Sequence, residues 1–255
     1  MSKPVSGAQL FTVREFLKDM PGVAASFRKV RQIGYTAVQL SGLGPVDPGE
    51  VAKALRDEGL VCGITHMGWP RFLNELDAVI EEHRMWGCRH AAIGGLPGEY
   101  RTAEGLDRFL SELPPIVERL AKAGIDFSYH NHAHEFVHVG AETWLGALYR
   151  RAPATLLKAE LDTYWVQAGG GCPTAWVRRC AGRLPVLHVK DYTMTAEGPR
   201  FAPIGEGNLE WPSILKAAEE AGTEFLMVEQ DQCYGADPFQ CLAASYRFLK
   251  EMGYP

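Results

Sequence analysis

Histidine and acidic residues in this chain gather at the ends of short apolar segments, where a β-strand would deliver them to a common mouth. His66 closes one such segment, and Ser128, His130 and His132 fall on one face of another. Asp162 ends a third, His188 and Lys190 share a face of a fourth, and Glu229 ends a fifth. Buried without a partner, each would be strongly unfavourable. Taken singly, such a residue is as readily a hydrogen-bonded core histidine or a helix cap as a ligand. Asp162, His188 and Glu229, however, close three consecutive strand segments, and consecutive parallel strands lie side by side. Two carboxylates and an imidazole at one strand end make a donor set for one divalent metal. Mixed oxygen and nitrogen donors suit Mn²⁺, Zn²⁺, Co²⁺ or Fe²⁺ better than Ca²⁺.

The elements that must position these residues recur at intervals of roughly 30 residues, each strand segment followed by an amphipathic stretch and a Gly or Pro break. The pattern predicts strands at Ala8 to Val13, Ala37 to Leu40, Val61 to His66, His90 to Ile93, Asp126 to Asn131, Leu157 to Asp162, Val186 to Lys190 and Phe225 to Glu229. Between the fifth and sixth, Glu142 to Arg151 places Trp144, Leu145 and Leu148 on one helical face, with Arg150 and Arg151 where cations suit the helix dipole. Helical crossovers make the strands parallel, and eight such units in 255 residues predict a closed (β/α)8 TIM barrel. A doubly wound sheet would show a glycine fingerprint after its first strand, where this chain has Thr12-Val13-Arg14-Glu15. No linker-like stretch divides the chain, so residues 1–255 are read as a single domain.

Composition narrows the function classes. At 46% hydrophobic and 22% charged residues, the chain can bury a full core. Lys+Arg 26 against Asp+Glu 31 leaves a net charge of −5, which argues against nucleic acid as a partner. The six cysteines (Cys62, Cys88, Cys172, Cys180, Cys233, Cys241) are scattered, with no CxxC pair, and read as reduced structural thiols. No apolar run approaches the roughly 18 residues of a membrane span, and the start MSKPVSGAQLF lacks a basic-then-apolar leader pattern, so no membrane partner and a cytoplasmic location are expected.

The runs QLFTVR, ITHMG, YHNHAHEF, ELDTYW, LHVKD, PIGEGNLEW and MVEQD occur in this order from Gln9 to Asp231. Together they resemble the sugar phosphate isomerase/epimerase family within the xylose isomerase-like TIM barrels. The resemblance implies one divalent metal held by a Glu on strand five, an Asp on strand six, a His on strand seven and a Glu on strand eight. Asp162, His188 and Glu229 carry over directly. Where the strand-five Glu is expected, the chain has Ser128, followed by His130-Asn131-His132 and then Glu135. Glu135 is the preferred fourth ligand, because its charge would complete three carboxylates and one imidazole; His130 and His132 are the alternatives. Glu135 is equally compatible with a solvated loop or a helix first turn.

The resemblance implies an isomerase or epimerase that removes and returns a proton through an enediolate of a small-molecule sugar or keto-sugar. Glu229, His130 and Lys190 are the candidate proton-transfer residues, and His66, Asn131, His132, Trp165 and Arg200 the candidate substrate contacts. Trp69 could form an aromatic plate under a sugar or simply pack. The Ile204 to Asn208 segment could offer backbone N–H groups to a sugar oxygen or phosphate, or could be a tight turn. Unlike groups on the two substrate faces would equally suit a lyase or dehydratase acting on a keto-sugar, a 3-keto-glycoside or an inosose. A non-catalytic sugar-binding barrel is a third reading, which the Asp-His-Glu set disfavours. Relatives commonly associate, which makes a homo-oligomer an expectation by analogy.

Overall fold

A computed structural model describes residues 3–255. Eight parallel strands close into a barrel in sequential order: β1 (Val5–Gln9), β2 (Ala37–Leu40), β3 (Val61–Met67), β4 (His90–Ile93), β5 (Asp126–His130), β6 (Lys158–Asp162), β7 (Val186–Val189) and β8 (Phe225–Val228). This is a single (β/α)8 TIM barrel, as the strand spacing predicts. The first strand lies earlier than expected. After Gln9 the chain turns into a 3₁₀ segment, Leu10–Phe16, because the Gln9 side chain accepts the Phe11 N–H at 2.6 Å and pulls the backbone out of the sheet.

Local signals start and stop the helices. Asp47 caps the helix Pro48–Glu58, and Asp237 caps Pro238–Glu251, each followed by a proline whose fixed φ suits the first turn. Gly59, Gly87 and Gly222 end helices in the left-handed conformation. The helix predicted from Glu142 begins at Trp144, because Thr143 caps it through the Gly146 N–H.

Inward positions alternate along each strand and form two layers. The lower layer holds the apolar Ala37, Ile64, Ala92, Val186 and Met227, with buried Glu160 level with Val186 and buried Ser128 level with Ala92. Met227 fills this layer because Gly7 and Gly63 have no side chain; a Cβ at either would come within 2.5 Å of the Met227 thioether end. The upper layer is polar and buried: Gln9, Gln39, His130, Asp162, His188 and Glu229, with His66 at its edge. No described helix is long and apolar enough to cross a membrane.

Outside the barrel, buried His83 joins the helix Leu76–Trp86 to β3. Its Nδ1 lies 2.7 Å from the Val79 carbonyl, which can only accept, so Nε2 is left to accept the Thr65 hydroxyl at 2.9 Å. Burial pushes its pKa below the ordinary 6.5. The unfolded chain therefore binds this proton more readily, and stability falls as pH drops below about 6.5, by at most about 1.4 kcal/mol per pH unit for this group. Denaturant melts at pH 7, 6 and 5 should show the loss, and a flatter dependence in His83→Gln. An unchanged slope in that variant would count against the assignment.

Candidate metal centre

Asp162 and His188 are register partners on β6 and β7, and Glu229 follows β8 directly, its N–H still bonded to the Val189 carbonyl. His130 at the end of β5 completes the group. One donor atom from each of His130, Asp162, His188 and Glu229 lies within 4.8 Å of the others, and all four residues are buried. Asp162 Oδ2 faces His130 Nε2 at 3.5 Å and His188 Nδ1 at 3.8 Å; His188 Nδ1 faces Glu229 Oε2 at 3.3 Å.

Other polar side chains aim these donors. Glu160, two residues before Asp162 on the same inward face, is fully buried and grips two imidazoles: His188 Nε2 at 2.9 Å through Oε1 and His66 Nε2 at 2.7 Å through Oε2. Gln39 Oε1 lies 2.6 Å from the same His188 nitrogen. His188 Nε2–H is thereby engaged and Nδ1 turns toward the carboxylates, the arrangement by which an outer carboxylate orients a metal-binding histidine. Gln9 donates its Nε2–H to Glu229 Oε1 at 2.8 Å, leaving Oε2 facing the group. Asp162 Oδ1 caps the next helix through the Trp165 N–H at 2.9 Å, leaving Oδ2.

Lys190 supplies the compensating charge. Its Nζ lies 3.1 Å from Asp162 Oδ2, 2.7 Å from Glu229 Oε2 and 2.8 Å from Asp231 Oδ2. Burial alone would favour the neutral amine, but the three carboxylates outweigh it and hold Lys190 firmly protonated, above the ordinary lysine range. Burial likewise works against charge on His188, yet Glu160 and Glu229 lift it to about 10. His130 goes the other way, down to about 4, through burial and the nearby His188. His132 falls to about 3 through burial and His130. Burial and the Glu229 charge push Asp231 up.

The donor set fits a divalent ion. His130 Nε2, Asp162 Oδ2 and His188 Nδ1 are buried without a well-directed hydrogen bond, and they face one another. In a core, polar atoms of this kind are otherwise paired. Two imidazoles and two carboxylates suit a transition metal better than Ca²⁺. Because His188 carries a proton without the ion, binding would release it, and affinity would rise with pH.

Several sequence expectations change here. Glu135 does not join the group: its carboxylate accepts the Tyr129 hydroxyl at 2.8 Å and the His132 N–H at 2.7 Å, and lies 2.9 Å from His134 Nε2. It closes the 3₁₀ turn Ala133–Phe136 instead, and His130 stands in the fourth position. Asn131 is consumed by backbone, its Oδ1 accepting the Asp162 N–H at 3.1 Å. Arg200 lies on the hairpin formed by Asp191–Thr195 and Gly198–Ala202, exposed, with its guanidinium 5.2 Å from the Tyr234 ring centre. Trp69 is buried against Phe72, Phe109 and Phe127, a packing residue. The Ile204 to Asn208 loop is likewise committed: Asp191 accepts the N–H groups of Gly205, Gly207 and Leu209 and the Trp211 indole N–H.

His66, His130, His132, Lys190 and Glu229 do meet, around a cavity of about 330 Å³ at the barrel mouth that Asp231 also lines. Trp165 borders this region, its ring 5.3 Å from both the His132 ring centre and the Lys190 ammonium. Glu160, Asp231, Gln9 and Gln39 were not foreseen. Glu160 and Asp231 each stand two residues from a foreseen ligand, so strand alternation could have found them; the two glutamines carry no charge to draw notice.

A family model of the xylose isomerase-like TIM barrel matches residues 27–252. No curated protein matches the sequence. Among solved structures, the chain is similar to a sugar phosphate isomerase/epimerase from Parabacteroides distasonis ATCC 8503, at 21% identity over 98% of each chain with a TM-score of 0.82. It is also similar to an L-ribulose 3-epimerase, at 17% identity over 98% of this chain and 94% of that one, with a TM-score of 0.75. A third is a xylose isomerase-like TIM barrel protein from Mycobacterium smegmatis in complex with magnesium, at 14% identity over 98% of each chain and a TM-score of 0.72. At these identities the likeness speaks to the fold.

Proposed function

The chain belongs to the xylose isomerase-like TIM barrel family, and from that premise we propose that it is a divalent-metal-dependent isomerase or epimerase acting on a sugar or keto-sugar. The observation that carries this reading is the buried His130, Asp162, His188 and Glu229 group at the barrel mouth, one donor atom of each lying within 4.8 Å of the others. These four residues would hold the ion. Mn²⁺, Zn²⁺ or Co²⁺ are the favoured occupants, and a relative that binds magnesium supports a divalent cation. When bound, such an ion supplies a Lewis acid that polarises a sugar carbonyl and acidifies the neighbouring C–H.

The protein's own groups do the remainder. Lys190, held as the ammonium, donates to a substrate oxygen and balances the surrounding carboxylates. It is therefore a donor and not a proton acceptor. Glu229 and His132 line the cavity as unlike groups, one carboxylate and one neutral imidazole whose Nδ1 has no partner. In this reading they take and return the proton, while His130 belongs to the ion's shell. Glu160 keeps His66 and His188 oriented throughout. The unlike pair also supports a second reading, a lyase that removes the proton on one side and releases a β-substituent.

The purified protein should contain one transition-metal ion per chain by elemental analysis. Loaded with Mn²⁺, Zn²⁺ or Co²⁺ and mixed with keto-sugars in D₂O, it should exchange the proton next to the carbonyl, seen as loss of that ¹H signal. A rearranged sugar with every atom retained supports the isomerase, and a released fragment supports the lyase. Absence of both ion and exchange would leave only a binding barrel.

A further inference from the structure

The run from Tyr129 to Phe136 carries histidines at alternate positions, 130, 132 and 134, and the centre described above takes only His130. β5 ends at His130, and the chain then turns through Ala133–Phe136. That turn lays His134 over His132, with ring centres 5.3 Å apart and planes within 10° of parallel. Glu135 stands beside them. One donor atom from each of His132, His134 and Glu135 lies within 4.8 Å of the others, a second convergence that shares no residue with the first.

Hydrogen bonding does not explain this contact. His134 Nε2 is buried 2.9 Å from Glu135 Oε1, yet the two make no well-directed hydrogen bond. Two donors on one Zn²⁺, each about 2.0–2.2 Å from it, stand roughly 3 Å apart with their lone pairs aimed at the ion and not at each other. Glu135 is braced as a ligating carboxylate is: Oε1 accepts the Tyr129 hydroxyl at 2.8 Å, and Oε2 accepts the His132 N–H at 2.7 Å. Each oxygen keeps a second lone pair. The His134 side chain is 31% exposed, so an ion can reach it from solvent.

We propose that His132, His134 and Glu135 form a second divalent-metal site, weaker than the first. Two imidazoles and one carboxylate suit Zn²⁺ or Co²⁺ better than Mg²⁺ or Ca²⁺. The weakness has two causes. This group offers one carboxylate where the first offers two, and it fills beside an occupied neighbour, since His132 packs edge-on against His130 with ring centres 4.9 Å apart. The consequence rests on the proton-transfer reading above: an ion on His132 takes the lone pair that would accept the substrate proton. The first ion activates, and the second inhibits.

The test adds Zn²⁺ to the full chain already loaded with one Zn²⁺, read by calorimetry, by ¹⁵N-imidazole spectra and by deuterium exchange of a keto-sugar. A second ion should bind at least about tenfold more weakly than the first, move the His132 and His134 signals, and slow exchange. His134 lies outside the first group and does not line the mouth cavity. His134→Ala should therefore keep the first ion and its exchange, bind the second at least about tenfold more weakly than the parent, and lose the inhibition. Saturation at one ion, or a second ion that binds His134→Ala as tightly as the parent, overturns the site. A second ion that binds without slowing exchange overturns the inhibition. If the first ion brings no exchange at all, the isomerase reading and the inhibition fall together, while calorimetry and spectra still decide the site.

Discussion

His188→Ala should abolish stoichiometric metal binding and lower kcat/KM for proton exchange by at least about a hundredfold, with the barrel still folded. Removing even an outer partner of a metal-binding histidine typically weakens affinity by about 10–100-fold, and loss of the imidazole itself should exceed that. The fold should survive because Glu160 keeps its second partner, His66. Glu229→Gln tests the same site without a change in volume: Gln9 can still donate to the side-chain oxygen, but the charge facing His188 and Lys190 is gone. Elemental analysis, circular dichroism and exchange kinetics on both variants check the expectation. Near-normal turnover with the ion retained in either would sink the site assignment.

The barrel and three of the four grouped residues, Asp162, His188 and Glu229, were legible in the sequence. The period of strand and helix segments announces eight βα units, and three polar residues that close successive strands must be neighbours once the strands are parallel. The remainder depended on facts that spacing alone does not carry. Glu135 was favoured for its charge, yet the chain spends that carboxylate on the Tyr129 hydroxyl and the His132 N–H at a turn past the strand end. His130, a weaker choice by charge, has the reach because it lies within β5. Asn131 shows the converse. Its type suits a sugar contact, but strand alternation points it away from the face that His130 and His132 share, and the Asp162 backbone claims it. Arg200 failed for a third reason, since the excursion after β7 is a hairpin whose direction no local pattern predicts.

Lys190→Met should destabilise the chelator-treated protein by about 3–5 kcal/mol, the usual consequence of removing one partner from a buried charge cluster. Lys190 is 1% exposed, and solvent cannot replace it. Asp162 and Glu229 would then face only the positive charge of His188, and Asp231 would lose its ion-pair partner. For a chain of this length, each kcal/mol moves Tm by roughly 2–4 °C, so the drop should be plain in a thermal melt. A divalent ion brings its own positive charge to two of these carboxylates, and adding Mn²⁺ or Zn²⁺ should recover much of the loss. An unchanged Tm without metal, or a drop that no metal reverses, would contradict the arrangement in which lysine and ion answer the same carboxylates.

The Asp191 knot has an evolutionary corollary. One carboxylate fastens a whole excursion of backbone beside Lys190, just past the end of β7, and at Gly207 any side chain would collide with it, a Cβ falling 2.2 Å from Asp191 Oδ1. Drift in that stretch is therefore penalised whatever the substrate. The chain between Leu40 and Pro48 is pinned in the same manner at Gly44, whose N–H bonds the Leu17 carbonyl and where a Cβ would fall 2.4 Å from the Lys18 carbonyl oxygen, so both excursions resist drift at their glycines.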